Sequence, residues 1–111
     1  MFDIGLLDEA VKFLDSLEPK MRAKAYRTIE LLRSFGLALR MPHTKKIEGE
    51  ENLYELRVQL ANNIIRLFYF HHAGRTYIVT SGYVKKDMKL DKREIDKAIQ
   101  IRIKFLKGGK V

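Results

Sequence analysis

The chain has 111 residues, 46% of them hydrophobic, and carries 22 Lys and Arg against 14 Asp and Glu, a formal net charge of +8. This length and composition predict a single folded domain spanning residues 1–111, and the absence of cysteine excludes disulfides, a thiolate metal site and a cysteine nucleophile. No apolar run approaches the roughly 18 residues of a membrane span, and Met1-Phe2-Asp3 does not resemble a signal peptide, so we expect a cytoplasmic protein without a membrane partner.

Two helices are predicted in the first third of the chain. Apolar residues at positions 4, 7, 11 and 14 recur at helical spacing, which predicts a helix from Ile4 to Leu17. Pro19 suits the first position of a second helix, because the N–H that proline lacks is unpaired there in any case. Gly36 is a natural C-terminal cap for that helix. Its apolar stripe consists of Ala25, Ile29, Leu32 and Phe35.

The centre of the chain predicts a sheet. Residues 53–60 alternate strictly, with apolar side chains at the even positions, which is typical of a half-buried strand. Turns at Asn62-Asn63 and Ala73-Gly74 would fold the chain into a three-stranded antiparallel meander. The segment His43–Ile47 predicts a short strand before this meander.

The register that these turns imply collects cations on the second face of the sheet. It places Arg57 opposite Phe68, and Arg66 opposite Ser81. Tyr83 shares this face, and Lys85 continues its parity. Arg57, Arg66 and Lys85 should therefore meet beside two aromatic rings. Such a face, on a chain of positive charge, favours a polyanionic partner, or an acidic protein that masks the surface.

A third helix closes the predicted fold. Asp91 is a good N-cap, and Lys92 to Leu106 carries an apolar stripe at helical spacing. The resulting class is α+β, with two N-terminal helices and a C-terminal helix packed on one face, the apolar one, of a small antiparallel sheet.

The chemistry open to the basic face is phosphate chemistry. The sequence has no Gly-rich phosphate loop and no HExxH motif, and Glu55 is the one acidic residue expected on that face, so we expect neither a metal nor another cofactor. Arginine forks match phosphate oxygens, and aromatic rings stack on unpaired bases. If a ribose 2′-hydroxyl were held in line with its own 3′-phosphate, Arg57, Arg66 and Lys85 could stabilise the charge that develops on phosphorus.

The proton carrier for such a reaction stays open. A lysine among other cations, Tyr83 or a histidine could serve. His71 and His72 flank the predicted turn at Ala73-Gly74, far from Arg66, which favours a surface role for both. His43 belongs to a segment whose position the sequence does not define.

Five segments carry a resemblance to a known family: PHTKKI at 42–47, LYELR at 53–57, IRLFYF at 65–70, GYVKK at 82–86 and EIDKA at 94–98. In this order and spacing they resemble the RelE/ParE toxin superfamily, and most closely its HigB-like, phage-derived branch. The resemblance implies a RelE-like fold and a small toxin of a type II toxin–antitoxin pair that cleaves messenger RNA, usually on the ribosome. It also implies neutralisation by a cognate antitoxin, often one with a helix-turn-helix domain.

The resemblance also implies roles for individual residues. Arg57 and Arg66 match the phosphate-binding, transition-state positions of the family. Two lysine pairs match further basic positions, one at the end of the last strand and one near the entrance of the cleft: Lys85 with Lys86, and Lys45 with Lys46. The predicted catalytic residues are thus Arg57, Arg66, Lys85 and Lys86. The predicted RNA-binding residues are Lys45 and Lys46, with Tyr83 and Phe68 as base-stacking rings. The chain departs from the family after Lys86, where residues 87–91 replace the usual Thr and Pro.

Three functions remain open at this point. The first is a metal-independent endoribonuclease that cleaves RNA by attack of the 2′-hydroxyl. The second is a non-nuclease toxin of the ParE type, which binds and inhibits a protein such as DNA gyrase. The third is a degenerate family member that retains only antitoxin binding. Fold by itself does not choose among them.

Overall fold

We describe the fold from a computed structural model of the protein, over residues 1–39, 42–85 and 91–108. Within these ranges the elements in chain order are β1 (Asp3–Leu6), α1 (Asp8–Asp15), α2 (Pro19–Phe35), a 3-10 turn (Gly36–Ala38), β2 (Thr44–Lys46), β3 (Tyr54–Leu60), β4 (Asn63–His71), β5 (Thr76–Val84) and α3 (Lys92–Leu106). No helix in these ranges combines the length and the apolar character that crossing a bilayer requires.

The strands form one mixed sheet of five strands in the order β1-β5-β4-β3-β2. Strand β1 pairs with β5 in parallel, and the other neighbours are antiparallel. Helices α1 and α2 cover one face, where their buried residues join Leu56, Leu67 and Tyr69 in the main core. Helix α3 covers part of the other face, where Ala98 packs in a second core with Phe68. The predicted α+β class is confirmed.

The first predicted helix is wrong at its start. Asp3–Leu6 is a strand that pairs with residues 76–79 of β5, and α1 begins only at Asp8. Backbone bonds hold both ends of this strand: the N–H of Asp3 donates to Arg75 O, and the N–H of Leu7 donates to Val79 O. Apolar residues close together in sequence fit either element, and the unpaired edge of β5 decides between them.

The expectation that all helices lie on one face of an antiparallel sheet is also wrong. The apolar run of β4 places Leu67 and Tyr69 on one face and Phe68 and Phe70 on the other, and all four are buried. A strand that is apolar on both faces needs cover on both. Helix α3 supplies the second cover, because its apolar stripe contacts Phe68 and the ring of Phe105 lies 6.0 Å from that of Phe70.

The register of the meander differs from the predicted one in two places. The first turn is Ala61-Asn62, with Ala61 at a φ of 54°, so the pairing slides by two residues and each side chain keeps its predicted face. The second difference is a β-bulge between Phe68 and Tyr69. Phe68 pairs with Ser81 and Tyr69 with Val79, so Thr80 is the extra residue of the bulge in β5. Ser81 and Tyr83, on the far side of the bulge, keep the basic face that we predicted for them.

Several local predictions are confirmed. Helix α2 begins at Pro19, and Gly36 at its end has a φ of 55° that favours glycine. Asp91 caps α3 by accepting a bond of 2.9 Å from the N–H of Arg93. Phe35 is an exception, since it is 53% exposed and lies outside the buried stripe.

Candidate functional site

The basic face of the sheet brings the predicted cations together. Arg57 of β3 is the cross-strand partner of Arg66 of β4, and Arg66 is in turn the partner of Tyr83 of β5. Residues directly opposite each other on neighbouring strands share a face. Lys85 follows at the end of β5, where its N–H donates to Ile64 O at 2.9 Å and extends the pairing by one residue. The cations therefore share one face as predicted, although Arg57 is opposite Arg66 where Phe68 was predicted, and Arg66 is opposite Tyr83 where Ser81 was predicted.

Arg66 is buried, which the sequence did not predict. It is 5% exposed, and its Nη1 donates to Glu55 Oε2 at 2.9 Å, with Glu55 only 2% exposed. The Nε N–H of Arg66 is also buried, and among the residues that the structure describes it has no hydrogen-bond partner. Arg66 therefore lies at the base of the site as half of an ion pair, and Arg57, which is half-buried, is the arginine of this row nearer to solvent.

The two predicted stacking rings have different surroundings. Phe68 and Tyr83 are stacked, with centroids 5.8 Å apart and planes inclined by 14°. Phe68 is fully buried and packs against Ala98 of α3, so its position does not support the predicted contact with a base. Tyr83 is half-buried, and its hydroxyl accepts a bond of 3.3 Å from the N–H of Asp91. Phe68 thus supports the ring of Tyr83 from the core.

The lysine pair of β2 is divided between the two faces. Lys45 is opposite Glu55 and shares the basic face, whereas Lys46 is opposite Tyr54 and shares the face of α1 and α2. Lys46 Nζ also donates to Glu50 O at 2.7 Å. Only Lys45 of this pair therefore belongs with the arginines. Lys86, which was predicted as a catalytic residue, lies outside the described residues, as do residues 87–90.

A pocket with two basic side chains in its lining lies at the edge of β3 and adjoins this face. It has a volume of about 290 Å³ and is lined by Lys24, Thr28, Pro42, His43, Arg57 and Gln59. The carbonyl of His43 accepts a bond of 2.8 Å from the N–H of Arg57, which holds the segment before β2 against β3. Sequence reasoning missed this pocket, because the connector before His43 has no periodicity and the cations of α2 resemble a solvated face.

The remaining histidines lie at the turn between β4 and β5, as predicted. His71 Nε2 is 2.7 Å from Gly74 O, and the ring of His72 lies 5.0 Å from that of Phe105. Over residues 1–39, 42–85 and 91–108, no three His, Asp or Glu side chains form a group suited to a metal ion.

The architecture is that of the RelE toxins. The chain is similar to a mutant of the E. coli toxin RelE in the free state, with a TM-score of 0.61 and 17% identity over 89% of this chain and 95% of that one. It is also similar to the intact E. coli RelBE toxin–antitoxin complex (TM-score 0.58, 17% identity, 80% of this chain and 100% of that one). The archaeal RelE–RelB complex from Pyrococcus horikoshii OT3 gives a TM-score of 0.59 and 17% identity over 78% of this chain and 98% of that one.

The family model described as Phage derived protein Gp49-like (DUF891) matches residues 12–102, and the chain therefore belongs to this family. The resemblance to a phage-derived branch of the RelE-like toxins is confirmed by this match together with the shared fold. No curated protein is significantly similar to the chain.

Proposed function

We propose that the protein is the toxin of a type II toxin–antitoxin pair, and that it is an endoribonuclease that cleaves messenger RNA on the ribosome without a metal ion. The observation that carries the proposal is the row Arg57–Arg66–Tyr83, continued by Lys85, on one face of a RelE-like sheet. An arginine row beside a half-buried tyrosine suits an RNA phosphate with an unpaired base.

The proposed reaction is attack of a ribose 2′-oxygen on its own 3′-phosphate, with departure of the 5′-oxygen. Its demand on the protein is to stabilise the extra negative charge on phosphorus. Arg57 and Lys85, both half-buried, contact the phosphate directly in this scheme, and Lys86 joins them on the strength of the family resemblance. Arg66 is a positioning residue in this scheme and does not contact the phosphate. Its ion pair with Glu55 holds Arg66 in place beside its cross-strand partner Arg57.

The partners in this proposal are messenger RNA in the cytoplasm and a cognate antitoxin with a helix-turn-helix domain. Two of the similar structures are complexes of RelE with RelB, which supports an antitoxin as a partner for this chain. Lys45, which is exposed beside the arginine row, extends the positive surface that the RNA or an acidic antitoxin segment would meet.

The test is to induce the protein without an antitoxin and to map the 5′ ends of cellular transcripts. We expect growth arrest with discrete cuts in translated messages, and we expect purified protein with ribosomes and mRNA to make the same cuts in the presence of a chelator. Intact messages together with a DNA-damage response would instead support the gyrase-binding alternative. Intact messages without growth arrest would support the third function, a degenerate family member that retains only antitoxin binding.

Arg57→Ala is the variant that addresses the site. Loss of one preorganised charge-stabilising donor typically lowers the rate by about 100- to 1,000-fold, and Arg57→Ala should fall in that range while remaining folded. Arg33→Ala is the matched control, because it removes an equal charge from a partly exposed side chain of α2 that pairs with Glu30. If both variants cleave at the parental rate, the assignment of Arg57 is wrong.

A further inference from the structure

The pocket at the edge of β3 has a composition suited to a phosphate group. Lys24 enters from α2, and Arg57 and Gln59 enter from β3. Of the described residues that line it, none is acidic, so the positive charges of Lys24 and Arg57 are not neutralised by a neighbour among them. A volume of about 290 Å³ is large enough for a phosphate with part of a ribose. The rest of an RNA strand would have to lie outside the pocket, along the edge of the sheet.

His43 belongs to this pocket because of a backbone constraint. Its carbonyl accepts the N–H of Arg57 at 2.8 Å, although the two residues are 14 positions apart, and strand β2 begins at the next residue. His43, a half-buried residue, is thereby held at the level of Arg57, and both residues line the pocket. An imidazole can both accept and release a proton, so a histidine beside fixed cations is suited to moving a proton at a phosphate.

We propose that this pocket is a phosphate-binding subsite for RNA, and that His43 is the catalytic proton carrier of the cleavage reaction. The inference rests on the proposed nuclease function and extends it. Lys24 and Arg57 hold the phosphate oxygens, and Gln59 donates from its amide. Thr28 already donates its hydroxyl proton to Lys24 O at 2.9 Å, so it can only accept from the ligand.

The reaction balances with the residues of this pocket and solvent. The 2′-oxygen forms a bond to phosphorus while the bond from phosphorus to the 5′-oxygen breaks, which leaves a 2′,3′-cyclic phosphate and a 5′-hydroxyl. Neutral His43 accepts the proton of the 2′-hydroxyl, and a water molecule protonates the leaving 5′-oxygen. The imidazolium then returns its proton to the hydroxide that the water has become. Among the described residues, Lys24 from α2 and Arg57 from β3 are the charged groups that line the pocket with His43.

A binding experiment tests the subsite without requiring catalysis. The full chain is titrated with inorganic phosphate, and separately with an all-deoxy trinucleotide that lacks the attacking hydroxyl, while NMR follows the histidine rings. We expect saturable shifts of the His43 ring with both probes and tighter binding of the trinucleotide, with the rings of His71 and His72 unmoved. Equal shifts of all three rings, or none at His43, would overturn the subsite. If phosphate shifts the His43 ring to saturation and the trinucleotide does not, the pocket binds a free anion, and its proposed role in binding RNA is wrong.

A pair of matched lysine variants tests whether trinucleotide affinity depends on the pocket or on overall charge. Lys24→Ala should weaken trinucleotide binding by about tenfold, because a charge-assisted hydrogen bond is lost. Lys20→Ala removes the same charge from an exposed position on the same helix and should leave the affinity unchanged. Equal effects of the two variants would show that only the overall charge of the protein matters, and the pocket would be refuted.

The proton role is tested by His43→Gln, with folding checked by circular dichroism. The variant should cleave about 100-fold more slowly or worse, and its pH–rate profile should lose the limb that protonation of His43 is expected to give the parent. A purely structural role would lower the rate and leave the pH profile unchanged. If the parent cleaves and His43→Gln retains its rate and profile, this assignment falls and the nuclease proposal stands. If the parent does not cleave, the nuclease proposal and the proton role fall together, whereas the titration still decides the subsite.

Discussion

The buried pair of Glu55 and Arg66 makes a quantitative prediction about the stability of the sheet. Both side chains are nearly inaccessible, at 3% and 6% exposure, and their charged atoms are 2.9 Å apart. Removing one partner leaves the other charge buried and uncompensated, which typically costs about 3–5 kcal/mol. Replacing both by apolar residues removes the desolvation penalty of both charges. We therefore expect Glu55→Leu and Arg66→Met each to lower the free energy of unfolding by about 3–5 kcal/mol, and the double variant to lose less than either.

The assay is urea-induced unfolding followed by far-UV circular dichroism, with the coupling energy taken from the double-mutant cycle. The exposed pair of Arg33 and Glu30 on α2 is the control, with side chains 33% and 63% exposed, and its coupling should not exceed about 1 kcal/mol. Additive losses at Glu55 and Arg66, or single losses as small as those of the control, would refute the buried pair. A domain is typically stable by only about 5–15 kcal/mol, so Arg66→Met could lose activity because it unfolds. The activity of Arg66→Met must therefore be compared with that of the more stable double variant.

Two further predictions concern the face covered by α1 and α2. Burial raises the pKa of Tyr69 from 10.0 to about 12, and its hydroxyl lies 2.5 Å from the hydroxyl oxygen of Thr44. Above pH 10 the unfolded chain releases this proton first, so the free energy of unfolding should fall as pH rises from about 10 to 12, and Tyr69→Phe should flatten that fall in urea titrations at each pH. Gly82→Ala should lower the free energy of unfolding by about 1–3 kcal/mol, because the new methyl would lie 2.6 Å from Leu67 Cδ2 and 2.7 Å from Phe13 Cδ2; an unchanged urea midpoint would contradict this packing.

The elements that sequence reasoning placed well are those with strong local signals. Helix α3 runs from Lys92 to Leu106 as predicted, because its N-cap and its apolar spacing agree. Pro19 and Gly36 mark the two ends of α2 for equally local reasons, one a missing N–H and the other a positive φ.

The candidate site shows the limit of such reasoning. The predicted pairing put Phe68 opposite Arg57, whereas the turn at Ala61-Asn62 slides the strands by two residues. Arg66 is therefore opposite Arg57, and Glu55 lies within bonding distance of Arg66. Each side chain keeps its face, so the convergence of the cations survives the error. The sequence did not predict that Arg66 is buried, which follows from its position beside Glu55 at the base of the site.

By itself the sequence determined the second and third helices, the central strands, and which side chains of β3 and β4 share a face, because these depend on bonds and periodicities within a few residues. Only the tertiary structure decided that Asp3–Leu6 completes the sheet, that α3 lies opposite the other helices, and that His43 meets Arg57. Each of these depends on which distant segment supplies the missing hydrogen bonds or covers the remaining apolar surface, and that choice is made by the whole fold at once.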